Sequence, residues 1–183
     1  MEFETPRLVM RRFEHKDVAP FAALNADPVV MEHFESVQSF DETTAFIERI
    51  ESHFDELGFG LWALELKESG EFIGFTGLAT PTFVAYFTPA IEIGWRLARE
   101  HWRKGYASEA AREALRIGYE DHALDEIVSM TATTNIPSQA VMRSIGMHHD
   151  PADDFDHPRL PAGHPLVRHV LYRLSRRDWE RTI

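Results

Sequence analysis

A strand, a short glycine turn and an alanine-rich helix follow one another between residues 90 and 118, and no other segment limits the fold so narrowly. Ile91, Ile93, Trp95 and Leu97 recur at a spacing of two, which places them on one face of a strand. Ala107, Ala110, Ala111, Ala114, Leu115 and Gly118 recur at helical spacing, and small residues on that stripe let a helix lie close on a sheet. Between them runs Trp102-Arg103-Lys104-Gly105-Tyr106-Ala107-Ser108. A turn that opens directly into a helix leaves backbone N–H groups free to hold an anion. Arg103 and Lys104 add positive charge, so the segment predicts a site for a phosphorylated cofactor. Taken alone, glycine and alanine there would equally serve close packing of helix on strand.

Charge distribution bears on that choice. Lys and Arg number 19 against 30 Asp and Glu, a formal net charge of −11. Residues 96–116 run the other way, with Arg96, Arg99, Arg103, Lys104, Arg112 and Arg116 against Glu100, Glu109 and Glu113, locally +3. Positive charge thus gathers at the proposed anion turn of an otherwise acidic protein. Such a surface disfavours nucleic acid and weakly favours cationic partners such as amines. With no cysteine, disulfides, thiolate zinc sites and cysteine nucleophiles are excluded. The start of the chain lacks the basic and apolar regions of a leader, and no apolar run reaches membrane-spanning length, so a cytoplasmic protein is expected.

The 183 residues and 44% apolar content suit one compact domain over 1–183, since no linker-like tract divides them. The pattern predicts a first strand over 7–13, a helix capped by Asp17 through about Asn25, and a longer helix from Asp41 to Leu57. Strands over 61–66 and 72–78 read as a hairpin, and 80–89 as an irregular or edge segment. After the alanine helix come a strand over 126–133, a short helix over 138–145 closed by Gly146, a polar loop over 150–165 and a last strand over 167–174. Early hairpins and late crossovers give one mixed sheet flanked by helices, an α+β arrangement.

These residues resemble a family. Trp102-Arg103-Lys104-Gly105-Tyr106-Ala107 is similar to the diphosphate loop of the GNAT superfamily of acyl-CoA-dependent N-acetyltransferases, Gln/Arg-x-x-Gly-x-Gly/Ala. Its fourth and sixth positions match; Trp102 fills the first, and Arg103 stands where the RimJ/RimL-like branch commonly has glycine. Asn135-Ile-Pro-Ser138 followed by an apolar helix and Gly146-Met147 resembles the same branch, which acetylates ribosomal-protein N-termini. Glu4-Thr-Pro-Arg-Leu8 and Glu92-Ile-Gly-Trp95 fit too, and the tail around 155–172 resembles a bacterial subset. The resemblance spans residues 4–177. It implies a mostly antiparallel mixed sheet that splays between strand 90–97 and strand 126–133 to admit acetyl-CoA. Dimers are common in that branch.

The resemblance also implies roles. Acetyl-CoA would contact Gly94, Trp95, Arg96, Leu97, Trp102, Arg103, Lys104, Gly105, Tyr106, Ala107, Ser108, Asn135 and Ser138. A backbone N–H near Gly94–Leu97 would hold the developing oxyanion. Glu92 is the candidate base, acting through water, with a merely substrate-binding role as the alternative. Ser138 is a candidate proton donor to the CoA thiolate, with helix capping as the alternative, and Asn135 would bond the cofactor or a water. An N-terminal amine, with a pKa of about 7.7–8.0, is deprotonated for ~3.5 kcal/mol less than lysine at about 10.4, so a modest base suffices. Tyr172 is read as core. The histidines and aspartates over 148–169 match no standard ligand spacing, and no metal is expected. The sequence therefore predicts direct transfer of an acetyl group to a primary amine. Two alternatives stand: a small-amine acceptor such as a polyamine or aminoglycoside, or a non-catalytic acyl-CoA sensor.

Overall fold

The computed structural model describes residues 2–181; Met1, where the leader reading begins, and the last two residues of the expected 1–183 domain lie outside it. In chain order the elements are β1 (Phe3–Glu4), β2 (Leu8–Arg11), α1 (Val18–Ala26), α2 (Phe40–Leu57), β3 (Leu61–Leu66), β4 (Phe72–Ala79) and β5 (Glu92–Leu97). Then follow α3 (Tyr106–Arg116), β6 (Glu126–Ala132), α4 (Ile136–Ser144), β7 (His148–His149), β8 (Phe155–Asp156), β9 (Arg168–Ser175) and α5 (Arg176–Trp179). The described strands make one sheet in the order β1-β2-β3-β4-β5-β6-β9-β7, with β8 also on β9.

Pairing is antiparallel except between β5 and β6, which run parallel and meet in one pair, Glu92 with Val128. Just beyond, the Ser129 hydroxyl donates to the Ile93 carbonyl at 2.9 Å. Past that bond the strands part, so the expected splay is present. Both faces of the sheet are covered. On one, Phe75 meets Phe21 of α1 and Phe46 of α2. On the other lies α3, whose Ala110, Ala111 and Ala114 are buried. A Cβ on Gly118 would stand 2.8 Å from Ile127 Cδ1 and 3.0 Å from Leu78 Cδ1, which is why the helical stripe ends in a residue without a side chain.

Several boundaries differ from the sequence reading, each for a local reason. Asp17 occupies the N-cap position of α1 but makes no cap bond there. Its fully buried carboxylate is taken by Arg11 Nη1 at 2.6 Å and by the Glu14 N–H. Helix α2 begins at Phe40, because Ser39 and Glu42 cap each other's backbone N–H groups. Helix α4 begins at Ile136, two residues before the expected start, because Asn135 rather than Ser138 caps it. The short strands β1, β7 and β8 and the short helix α5 were not expected. Strand β8 forms inside the expected polar loop because Phe155 is buried with Val128 and Leu171, against which Phe83 and Phe87 pack. The irregular reading of 80–89 holds, since no helix or strand forms there.

Candidate active site

The turn between β5 and α3 combines two left-handed residues, Arg103 at φ 58° and Gly105 at φ 83°. A left-handed residue among helical ones turns successive N–H groups toward one concavity. The amides of residues 103–108 donate to no acceptor among the described residues; the first bond of α3 is Glu109 N–H to the Gly105 carbonyl. Arg103 and Lys104 are exposed beside them. The left-handed φ at Arg103 also explains why glycine is common there in the resembling branch: the conformation strains other L-residues by ~1–2 kcal/mol.

The turn is braced from the opposite end of the chain. Arg7 Nη1 donates to the Lys104 carbonyl at 2.9 Å, and its Nε and Nη2 engage Glu109 Oε2 at 2.7 and 2.6 Å. Thr5 Oγ1 donates to Glu109 Oε1 at 2.6 Å, and the Arg7 guanidinium lies 4.5 Å from the Tyr106 ring centre. In the sequence this Thr-Pro-Arg-Leu segment is visible only as a family match, and its conjunction with the turn motif is the available signal. The Trp102 indole N–H donates to the Leu97 carbonyl at 2.8 Å and ties the turn to the end of β5.

Residues Gly94–Leu97 do not all point alike. The Ile91 carbonyl accepts from Val128 N–H and the Ile93 carbonyl from Ser129, so odd-numbered residues of β5 turn their backbone groups toward β6. Alternation then aims the Trp95 and Leu97 N–H groups into the opening cleft, while Gly94 and Arg96 bond toward β4. The side chains of Glu92, Gly94 and Arg96 share the face opposite α3.

Glu92 sits where the strands begin to part. Its residue is half-buried, and its side chain shares a face with Val128, which clusters with Phe83, Phe87 and Phe155. It has no hydrogen-bond partner among the described residues. Burial alone pushes its pKa up to about 7. A carboxylate there is poised to accept a proton near neutrality.

Across the cleft, Asn135 Oδ1 accepts from Ser138 N–H at 3.2 Å and its Nδ2 donates to Thr131 Oγ1 at 2.9 Å. Those bonds hold Asn135 as a cap and leave the half-buried Ser138 hydroxyl without a partner among the described residues. Helix α4 lies beside α3, with Ser144 and Ser108 hydroxyls 2.9 Å apart. Tyr172 is core, as read from sequence, its hydroxyl accepting from Arg143. The late histidines pair off: His149 with Asp154 at 2.7 Å, and His157 against His169 with ring centres 4.9 Å apart.

An anion turn at a strand-to-helix junction, opening onto a splayed parallel pair, now stands beside the comparison that decides its meaning: the acetyltransferase (GNAT) domain signature matches residues 7–148. The chain belongs to the GNAT acetyltransferase family. The uncharacterized N-acetyltransferase YnaD of Bacillus subtilis is 29% identical over 181 residues, covering 98% of this chain and 99% of its own. A GNAT-family acetyltransferase from Bacillus anthracis superposes with a TM-score of 0.80 at 25% identity, covering 97% of this chain and 100% of that one. RimL, a ribosomal L7/L12 α-N-protein acetyltransferase solved with coenzyme A, superposes at 0.76 over 96% of this chain and 98% of its own. At 14% identity that likeness shows the fold alone.

Fold and relatives together make the protein an acetyl-CoA-dependent N-acetyltransferase. The residues present fit the co-substrate: a run of open amides with two exposed cations suits a diphosphate. Arg7→Ala is expected to weaken coenzyme A binding about tenfold in calorimetry, because the turn loses its brace while the amides remain. Unchanged affinity would reduce Arg7 to an ordinary surface ion pair, worth about 0–1 kcal/mol. Among the described residues, no helix is long and apolar enough to cross a membrane.

Proposed function

We propose that the protein is a single-domain enzyme of the RimJ/RimL-like branch that acetylates a primary amine, with a protein N-terminal α-amine as the foremost acceptor. Amine and acetyl-CoA meet in one ternary complex and react directly, without an acyl-enzyme. The amides of residues 103–108 and the charges of Arg103 and Lys104 hold the diphosphate. The Trp95 N–H, aimed into the cleft, receives the oxyanion that develops on the thioester carbonyl. Glu92 takes the proton that leaves the attacking nitrogen, directly or through one water. As the carbon–sulfur bond breaks, Ser138 Oγ–H protonates the departing thiolate and solvent restores the serine.

The observation that carries this reading is a Glu92 with no partner among the described residues, placed in the single β5–β6 pair immediately before the open edge of β5. A base tuned near 7 matches an α-amine far better than a lysine. The test is release of free thiol from acetyl-CoA with peptides of varied first residue, set against lysine-only peptides and free polyamines. Amine-dependent release with the peptides supports the reading. Release with polyamines alone would move the acceptor to small amines, and binding of acetyl-CoA without release under any amine would leave a sensor.

A further inference from the structure

Arg96 carries a charge that the described residues do not balance. It is 8% exposed, and its guanidinium meets no carboxylate. Its one hydrogen bond runs from Nη1 to Asn25 Oδ1 at 2.6 Å. Asn25 is itself fully buried and fixed by Thr43 through Nδ2, 3.1 Å from Oγ1. Aromatic rings supply the rest of the surroundings: Phe34 lies 4.1 Å from the guanidinium carbon, Phe75 at 5.5 Å and Phe46 at 5.9 Å. Nε is sealed from solvent without a partner, whereas the unbonded Nη2 is not sealed. Arg11, by contrast, is just as buried and is matched by Asp17 and Glu65.

The position of this cation ties it to the reaction. Arg96 shares a strand face with Glu92, and between them Gly94 leaves the face open, for a Cβ built there would meet nothing within 4 Å. One two-residue step, about 7 Å, separates the open point at Gly94 from Arg96. A trough therefore runs along β5 with a proton acceptor at one end and a guanidinium at the other. Phe34, 41% exposed, covers the guanidinium from the segment that joins α1 to α2. Burying a guanidinium without a counter-charge is unfavourable, and cation–π contacts offset only part of that. Nη2, unsealed and without a partner among the described residues, can donate to a carboxylate that lies along this face.

We propose that Arg96 is the specificity determinant for the acceptor, selecting primary amines that also carry a carboxylate close to the reacting nitrogen. This deepens the acetyltransferase reading and rests on it. The acceptor class is an amino-carboxylate, supplied either by a peptide whose first or second residue is Asp or Glu or by a free acidic amino acid. Polyamines and aminoglycosides, which place a second cation at that distance, are disfavoured. The acidic surface of the protein gives no such preference, so the selection is local to the trough.

The test uses matched acceptors with the intact wild-type protein: peptides beginning Glu or Asp against the same peptides beginning Gln or Asn, and free glutamate against glutamine amide, which carries no carboxylate. The carboxylate member of a pair is expected to show a kcat/KM at least ~30-fold higher, the scale of a desolvated ion pair. The two arms then identify peptide or free amino acid as the source. In Arg96→Met that ratio is expected to fall to about one while coenzyme A affinity stays within twofold; Arg96→Lys is expected to recover part of it. Equal kcat/KM within the wild-type pairs overturns the proposal whether or not the variants fold. Turnover of neutral amines with no carboxylate preference would remove the role of Arg96 yet leave the transferase standing. Absence of thiol release with every amine would instead remove the transferase reading.

Discussion

Gly105→Glu is expected to abolish coenzyme A binding, weakening it at least ~100-fold, in a protein that still folds. Gly105 stands at φ 83°, where an L-residue is strained by ~1–2 kcal/mol. A Cβ there would approach Arg7 Nη2 at 3.3 Å, a contact with the end of a flexible side chain that can give way. The larger effect is electrostatic. A carboxylate tethered inside the cluster of open amides occupies it as an internal anion and repels the diphosphate from the same donors. Calorimetry with coenzyme A measures this directly, and Gly105→Ala separates strain from charge: it should weaken binding by no more than about tenfold. A folded Gly105→Glu protein with unaltered affinity would show that the diphosphate lies elsewhere.

The second large effect joins activity and stability with opposite signs. Glu92→Gln should lower kcat by about 100-fold or more at pH 7, within the range expected for loss of a general base. Coenzyme A affinity should change little. In the wild-type protein the carboxyl has to be ionised to accept a proton, so kcat should fall as pH drops through about 7, and that limb should vanish in the variant. Stability should move the other way. The folded-state pKa of about 7 lies above the ordinary 4.5, so the folded protein holds this proton more tightly than the unfolded chain does. Its contribution is fully present below 4.5 and is lost as pH rises through 7. Above pH 7 the wild-type protein therefore confines an uncompensated charge that glutamine lacks. The full shift corresponds to at most ~3 kcal/mol, and half-burial of the residue reduces the expected gain to about 1–2 kcal/mol. Denaturant unfolding at pH 8 checks it. A variant that is no more stable and equally active across pH 6–9 would make Glu92 a bystander.

The parts legible in the sequence were those governed by near neighbours. The alternation of 91–97, the small-residue stripe of 107–118 and the glycine between them fix strand, turn and helix through contacts within about thirty residues. The same locality makes the turn itself readable from its sequence. What escaped the sequence was set at long range. Arg7 braces the turn from about a hundred positions away, and nothing in its neighbours announces Lys104 or Glu109 as its partners. Asp17 looks like a cap from its surroundings, but Arg11 claims its carboxylate in the folded core. Arg96 was assigned to the cofactor by its place in the strand, although its side chain points at Asn25 and three phenylalanines on the other face. The aromatics of 80–89 read as an edge segment. Their packing partner is Phe155, some seventy residues later, and that contact places them beside Val128.

The lone bridge between Glu92 and Val128 has a further consequence for the molecule as a solid object. Strands β1 to β5 form one plate and β6 to β9 another, and among the described residues this seam has the fewest paired residues in the sheet. A reactant bound as proposed along the seam would act as mortar, bonded to the exposed rim of one plate with its far end held by the helix beyond. Cellular supply of that reactant would then set the protein's lifetime as well as its speed. A hundredfold excess over the dissociation constant adds ~2.7 kcal/mol against unfolding.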